Sequence, residues 1–190
     1  MGELMTRDAG TDEAFDAMRL GRVLDVVGAS ASVVAPLRIL DAGCGTGWFA
    51  RAMSGCGHLV DAIDSSEAAI EECRGQAAGR DRYYTCQLDS WAPTYVYDAV
   101  VALDVLVHLM DDAVWRDSVV NLAALVRLTG FLVLTDHDAD ADHRWGDDHQ
   151  TRSRQSYLDV VLPLGFSYLG FRPYRFRDNA AGLHVFRRIA

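Results

Sequence analysis

The chain contains no lysine. All 18 of its basic residues are arginine, set against 27 aspartates and glutamates, for a formal net charge of −9 and a pI near 5.0. Binding to nucleic acid through phosphates draws its affinity from clustered basic side chains, so this balance argues against a nucleic-acid partner. The missing lysine itself reads as a compositional bias. Cysteine pairs are absent too: Cys44, Cys56, Cys73 and Cys86 are widely spaced with no CxxC, which indicates neither a zinc knuckle nor a redox dithiol. No apolar run approaches the ~20 residues of a membrane span. The opening MGELMTRDAGTDEAF lacks the basic-then-apolar profile of a signal peptide, and Gly2 opens no convincing acylation motif. Together these absences lead to the expectation of a soluble, cytoplasmic protein with no membrane partner.

What is present is core material. Half of the 190 residues are hydrophobic, enough for one domain spanning residues 1–190. Residues 1–10 read as frayed. Thr11 then caps an amphipathic helix that runs to about Gly28, and a small-residue linker leads on to Pro36. Strand-turn-helix grammar follows. Strands are expected at Leu37–Leu40, His58–Ile63, Arg82–Cys86, Tyr97–Leu103 and Gly130–Thr135. Helices are expected at Trp48–Ser54, at Glu67–Arg74 behind an N-cap at Ser66, and at Asp112–Leu128. An irregular polar stretch, Asp136–Thr151, precedes a helix at Arg152–Pro163. Phe166–Phe171 and Leu183–Arg187 have no helix-length segment between them and form an antiparallel hairpin. The expected fold is therefore α/β: a Rossmann-like, mostly parallel seven-stranded sheet with helices on both faces and a C-terminal antiparallel hairpin. Ligands in such sheets bind beyond the carboxyl ends of the strands.

The stretch LRILDAGCGTGW, 37–48, concentrates the chemistry. Gly43, Gly45 and Gly47 let the backbone turn sharply and approach a ligand, and Asp64, 19 residues past Gly45, stands where an acid binds ribose hydroxyls. A dinucleotide site is a rival, but it wants a small residue where Trp48 stands, and Asp41 would repel a pyrophosphate. No Gly-Lys-Ser/Thr follows, which excludes a P-loop. A ligand with ribose hydroxyls, an adenine and a positive centre but no phosphate is S-adenosylmethionine (SAM).

LDAGCGTG at 40–47, AIDSS at 62–66, LDSW at 88–91 and LDVLVHL at 103–109, in this order, resemble the motif series of class I SAM-dependent methyltransferases. The resemblance covers roughly residues 37–136. It implies that Asp41, Gly43, Gly45 and Gly47 back the methionine moiety and that Asp64 binds the ribose hydroxyls with Ser65 beside the adenine. It further implies that Asp89 accepts from the adenine amino group with Ser90 beside it, and that Leu103 lines the cofactor. Residues 1–30 are expected to act as a helical lid, with Phe15 and Met18 on one side of the acceptor and Trp145 and Tyr157 on the other.

The methyl of a sulfonium is already activated, so the main task is to align an acceptor with it, and a hydroxyl or ammonium acceptor also needs a base. His137, directly after the fifth strand, is the favoured base, with His143, His149 and His108 as alternates. The segment DHDADADHRWGDDH, 136–149, packs six aspartates and three histidines into fourteen residues. Its spacing fits no compact metal loop, and no metal is expected. Its acids instead favour a cationic or amine-bearing acceptor. The leading function is methyl transfer to an oxygen or nitrogen of a small molecule, since 190 residues leave little room for a separate substrate domain, with a specialised metabolite the favoured class. The alternatives are a dehydrogenase, a SAM-binding protein that catalyses a non-methyl reaction or none, and an RNA methyltransferase.

Overall fold

The computed structural model describes residues 9–28, 36–77, 79–177 and 179–190, with side chains from Glu13 onward. Residues 1–8 of the stretch 1–10 expected to fray, and the linker at 29–35, lie outside these residues; residues 9 and 10 are already helical, so the helix begins two residues ahead of the expected cap at Thr11. Nine strands and five α-helices are described. They run in the order α1 (Ala9–Gly28), β1 (Arg38–Ala42), α2 (Trp48–Gly55), β2 (Leu59–Asp64), α3 (Glu67–Gln76), β3 (Asp81–Thr85), β4 (Tyr97–Ala102) and α4 (Asp112–Ala124). Then follow β5 (Val126–His137), β6 (His143–Trp145), β7 (His149–Thr151), α5 (Arg154–Val161), β8 (Phe166–Pro173) and β9 (Ala181–Arg188).

Seven strands form one sheet in the order β3-β2-β1-β4-β5-β9-β8. β1 to β5 are mutually parallel, while β9 runs antiparallel between β5 and β8, as the hairpin pattern requires. Alternation along the strands divides the core in two. Ile39, Val101, Val133 and Val185 face α1, α2 and α3, whereas Leu40, Val100, Leu132, Leu134 and Phe186 face α4 and α5. The sheet is thus covered on both sides, and its order reverses between β1 and β4, beside the glycine turn that follows β1.

Two further regions differ from the sequence expectation. The helix expected to reach Leu128 ends at Ala124, and the strand expected from Gly130 begins at Val126. The apolar residues Leu125, Val126 and Leu128 continue the helical spacing, but Val126 is claimed by the sheet, opposite Tyr97, and Leu128 is left 57% exposed. The register then jumps to Ala99 opposite Phe131. Gly130 sits in this jump because a Cβ there would lie 2.7 Å from the Asp98 carbonyl oxygen. The second difference is in the polar stretch 136–151, where β6 and β7 pair as a small antiparallel hairpin. α5 begins two residues later than expected, behind Ser153, whose Oγ accepts from Ser156 N at 3.2 Å. This frees Arg152 from the helix, and the residue is 1% exposed.

Candidate active site

β1 delivers Asp41 into the interior and the chain then turns through Gly43, Gly45 and Gly47, all at positive φ. A Cβ on Gly43 would lie 2.5 Å from Val105 Cβ, and one on Gly47 would lie 2.8 Å from Cys73 Sγ. These two glycines are required by packing. Gly45 is different: a Cβ there meets nothing within 4 Å, so its outer side is open. A cavity of about 240 Å³ lies against the turn, lined among others by Arg19, Asp41, Gly45, Trp48, Leu103 and Asp104.

Asp64 closes the neighbouring strand. Its Oδ2 accepts from Gly45 N and its Oδ1 from Ser66 N, each at 2.9 Å, so one carboxylate fixes both the turn and the start of α3. Ser66 is the N-cap as expected, accepting from Ala69 N. Ser65 is exposed next to it. Asp89 and Ser90 are exposed in the turn after β3, the Ser90 hydroxyl donating to Asp89 at 2.7 Å. Thus the strand ends that carry the expected cofactor residues all open at one end of the sheet.

Asp41 is 2% exposed and its Oδ2 is buried without a hydrogen-bond partner. Burial pushes its carboxyl up to about 7; the Asp64 charge adds to the rise, and the Ala50 amide and Arg19 oppose it.

Arg19, which no sequence motif marks, is the cation of this site. It is 5% exposed and reaches from α1 to Asp104 at 2.5 Å and Asp16 at 3.1 Å. Its guanidinium lies about 5 Å from the ring centres of Phe15 and Phe49, and its Nε has no partner. A signal existed: Arg19 falls four residues after Phe15 and four before Val23, on the apolar stripe where a charge is out of place. Asp104 itself holds a left-handed φ of 56°, a strained conformation for a non-glycine residue just beyond β4.

The four candidate histidines stand outside the residues lining this cavity. His137 ends β5 and alternates with Val133 and Thr135, which puts it on the sheet face covered by α1. His108 and His149 come together, ring centres 5.6 Å apart, and His108 Nδ1 lies 2.9 Å from the Asp148 carbonyl oxygen. His143 is exposed and packs on Trp145 within the β6–β7 hairpin.

The buried histidine is His184, on β9, which no motif singled out. It is 0% exposed; its Nε2–H donates to the His137 carbonyl oxygen at 3.1 Å and its Nδ1 accepts from the Tyr168 hydroxyl at 3.0 Å. Burial pushes its imidazole below the usual range. Tyr157 is likewise 0% exposed, stacked on His184, so it cannot flank an acceptor as expected.

Half of the aspartates in the acidic stretch are committed to structure. Asp136 is buried and accepts from His137 N, Arg152 N and the Tyr157 hydroxyl. Asp138 pairs with Arg154 at 2.5 Å, and Asp142 accepts from Ser153 N and the Ser156 hydroxyl. Asp140, Asp147 and Asp148 are exposed. Among the described residues, no group of three His, Cys, Asp or Glu side chains could hold a metal ion. Nor is any described helix long and apolar enough to cross a membrane.

The chain is similar to known proteins. The ubiquinone biosynthesis O-methyltransferase of Rickettsia canadensis is 24% identical over 131 residues, 67% of this chain and 54% of that protein, so the chain spans about half the length of that relative. The magnesium protoporphyrin IX methyltransferase of Synechocystis PCC 6803, solved with S-adenosylhomocysteine (SAH), superposes with a TM-score of 0.76 at 19% identity, covering 98% of this chain and 90% of that one. The [4+2]-cyclase SpnF has the same fold, with a TM-score of 0.71 at 16% identity and coverage of 89% and 80%. The methyltransferase domain family matches from residue 15 to residue 183, taking in α1 from Phe15, the glycine turn, the acid that ends β2 and the first three residues of β9: the chain belongs to that family.

Proposed function

We propose that the chain is a SAM-dependent methyltransferase acting on an oxygen or nitrogen of a small molecule. The observation that carries this reading is the buried, unpartnered Asp41 oxygen beneath a glycine turn that is open at Gly45. An anion there suits a positively charged ligand and opposes a pyrophosphate. Bound SAM supplies an activated methyl on a sulfonium. Gly43, Gly45 and Gly47 form the seat of its methionine moiety, Arg19 faces its carboxylate, and Asp64 holds the ribose hydroxyls. Asp89, with Ser65 and Ser90, flanks the adenine, and Leu103 supplies an apolar wall. α1 serves as the lid, since Arg19, Phe15 and Met18 all come from it. A methyl-mass gain in the product, read by mass spectrometry, separates this reading from a rearrangement or cyclisation on the same fold.

The state of Asp41 makes cofactor affinity pH-dependent. Its carboxyl titrates at about 7 when the site is empty, so below that pH it is neutral and attracts no cation. SAM affinity should therefore rise with pH through 6 to 7 and level off above, by up to roughly tenfold per unit on the rising limb. Calorimetric titrations at several pH values check this. Asp41→Asn should flatten the curve at its low-affinity end, and SAH, which lacks the sulfonium charge, should show a shallower slope. A wild-type affinity flat from pH 6 to 8 would remove Asp41 from the role.

We assign the general base to His137. His137→Ala should lower kcat by roughly 10²-fold or more while leaving SAM affinity unchanged. Undiminished turnover in this variant, with His143→Ala, His149→Ala and His108→Ala equally harmless, would leave alignment alone as the source of catalysis.

A further inference from the structure

Charge is distributed unevenly along this acidic chain. Residues 166–190 hold five arginines and one aspartate, whereas the remainder holds 13 arginines and 26 acids. Three of the five, Arg172, Arg175 and Arg177, fall within six residues at the β8–β9 connection, and all three are exposed. Among the described residues, neither Arg172 nor Arg175 is in an ion pair.

The connection is anchored at the mouth of the candidate active site. The Tyr174 hydroxyl bonds Thr135 Oγ1 at 2.8 Å, two residues before His137, and its carbonyl oxygen accepts from Arg22 of α1 at 3.0 Å. Phe176 packs on Phe15 at 4.9 Å, and Phe15 in turn lies under Arg19. The inward aromatics thus alternate with outward arginines. Arg175 and Arg177 hold this pattern at φ values of 50° and 53°, left-handed backbone that costs a non-glycine residue energy. A strained turn that keeps guanidiniums in solvent, beside α1 and the end of β5, is suited to bidentate capture of an oxyanion.

We infer that the methyl acceptor is anionic, a small molecule bearing a carboxylate or phosphate that the Arg172–Arg177 turn grips at the rim while its reacting atom reaches the cofactor. This deepens the methyltransferase reading, rests on it, and replaces the cationic acceptor expected from the acidic stretch. That stretch has half of its aspartates tied up internally, whereas the arginine turn is directed outward.

The test is calorimetry on the SAH-saturated full chain with inorganic pyrophosphate, benzoate and putrescine as separate probes. Pyrophosphate or benzoate should bind saturably and more weakly as salt rises, and the tighter of the two identifies phosphate or carboxylate as the preferred group. Arg172→Gln/Arg175→Gln should weaken that binding by about tenfold or more. SAH affinity should stay the same, since neither residue lines the cofactor cavity. Anion binding that is absent, or unchanged in the variant, overturns the inference, as does saturable putrescine binding indifferent to both substitutions. Failure of SAH to bind the wild-type chain would instead overturn the methyltransferase reading.

Discussion

Asp64→Ala should reduce SAM affinity by about 10²–10³-fold, the loss of two charge-assisted hydrogen bonds to a diol at roughly 1.5–3 kcal/mol each, partly offset by water taking the place of the carboxylate. The residue stands at the end of β2 with both oxygens already used once, by Gly45 N and Ser66 N. Each carboxylate oxygen accepts a second hydrogen bond, so those backbone contacts do not exhaust it. They do mean that alanine also releases the glycine turn from α3, and the measured loss contains both effects. Asp64→Asn separates them. It retains an oxygen for one backbone donor but presents an amide where the second donor and one ribose hydroxyl point. Its affinity should fall between wild type and alanine, while its thermal midpoint should lie close to wild type. If Asp64→Ala binds SAM as wild type does, the glycine turn is not the cofactor's seat.

The residues legible in the sequence share one property: their role is local. A glycine that must turn, an acid that ends a buried strand and a serine that caps a helix each carry their reason within a few positions, and Gly43, Asp64 and Ser66 stand where that reason puts them. The alternation of apolar runs with helical spacing likewise pointed to a mostly parallel sheet that ends in an antiparallel hairpin. Leu125 to Leu128 defeated it, because their spacing suits a helix and only the pairing of Val126 with Tyr97 makes them strand. Arg19 is not marked by any sequence motif, for a related reason. Its partners Asp104 and Phe49 are distant in sequence, and nothing near it announces that a buried cation will be compensated. His184 and Arg152 belong to the same class. In the stretch 136–149 the sequence shows six aspartates but not what they bond: three of the six accept from α5 and its N-cap Ser153, from Arg152 or from the stretch's own backbone.

Those consumed acids set the largest expected stability effect. Asp136 is 1% exposed, and its Oδ1 accepts from His137 N at 2.7 Å while its Oδ2 accepts from Arg152 N at 3.0 Å and from the Tyr157 hydroxyl at 2.8 Å. Burial raises its carboxyl pKa, and these three donors oppose the rise. Asp136→Ala leaves three buried donors without an acceptor, at about 1–3 kcal/mol each, so a total loss of roughly 3–6 kcal/mol is expected. That is a large part of the stability of an ordinary domain. Arg152→Leu should cost less, although Arg152 is equally buried. Its ion-pair partner Asp112 is 84% exposed and returns to water when the guanidinium is removed, which leaves chiefly the Leu109 carbonyl contact and the packing on Trp115 to be lost. Urea unfolding of the two variants gives the order directly, and a smaller loss for Asp136→Ala than for Arg152→Leu would show that the three donors find other acceptors. Because one of those donors is the backbone of His137, the alanine variant should also lose turnover at temperatures where it remains folded, and Asp136→Asn, which keeps one carbonyl oxygen in place, should recover part of both.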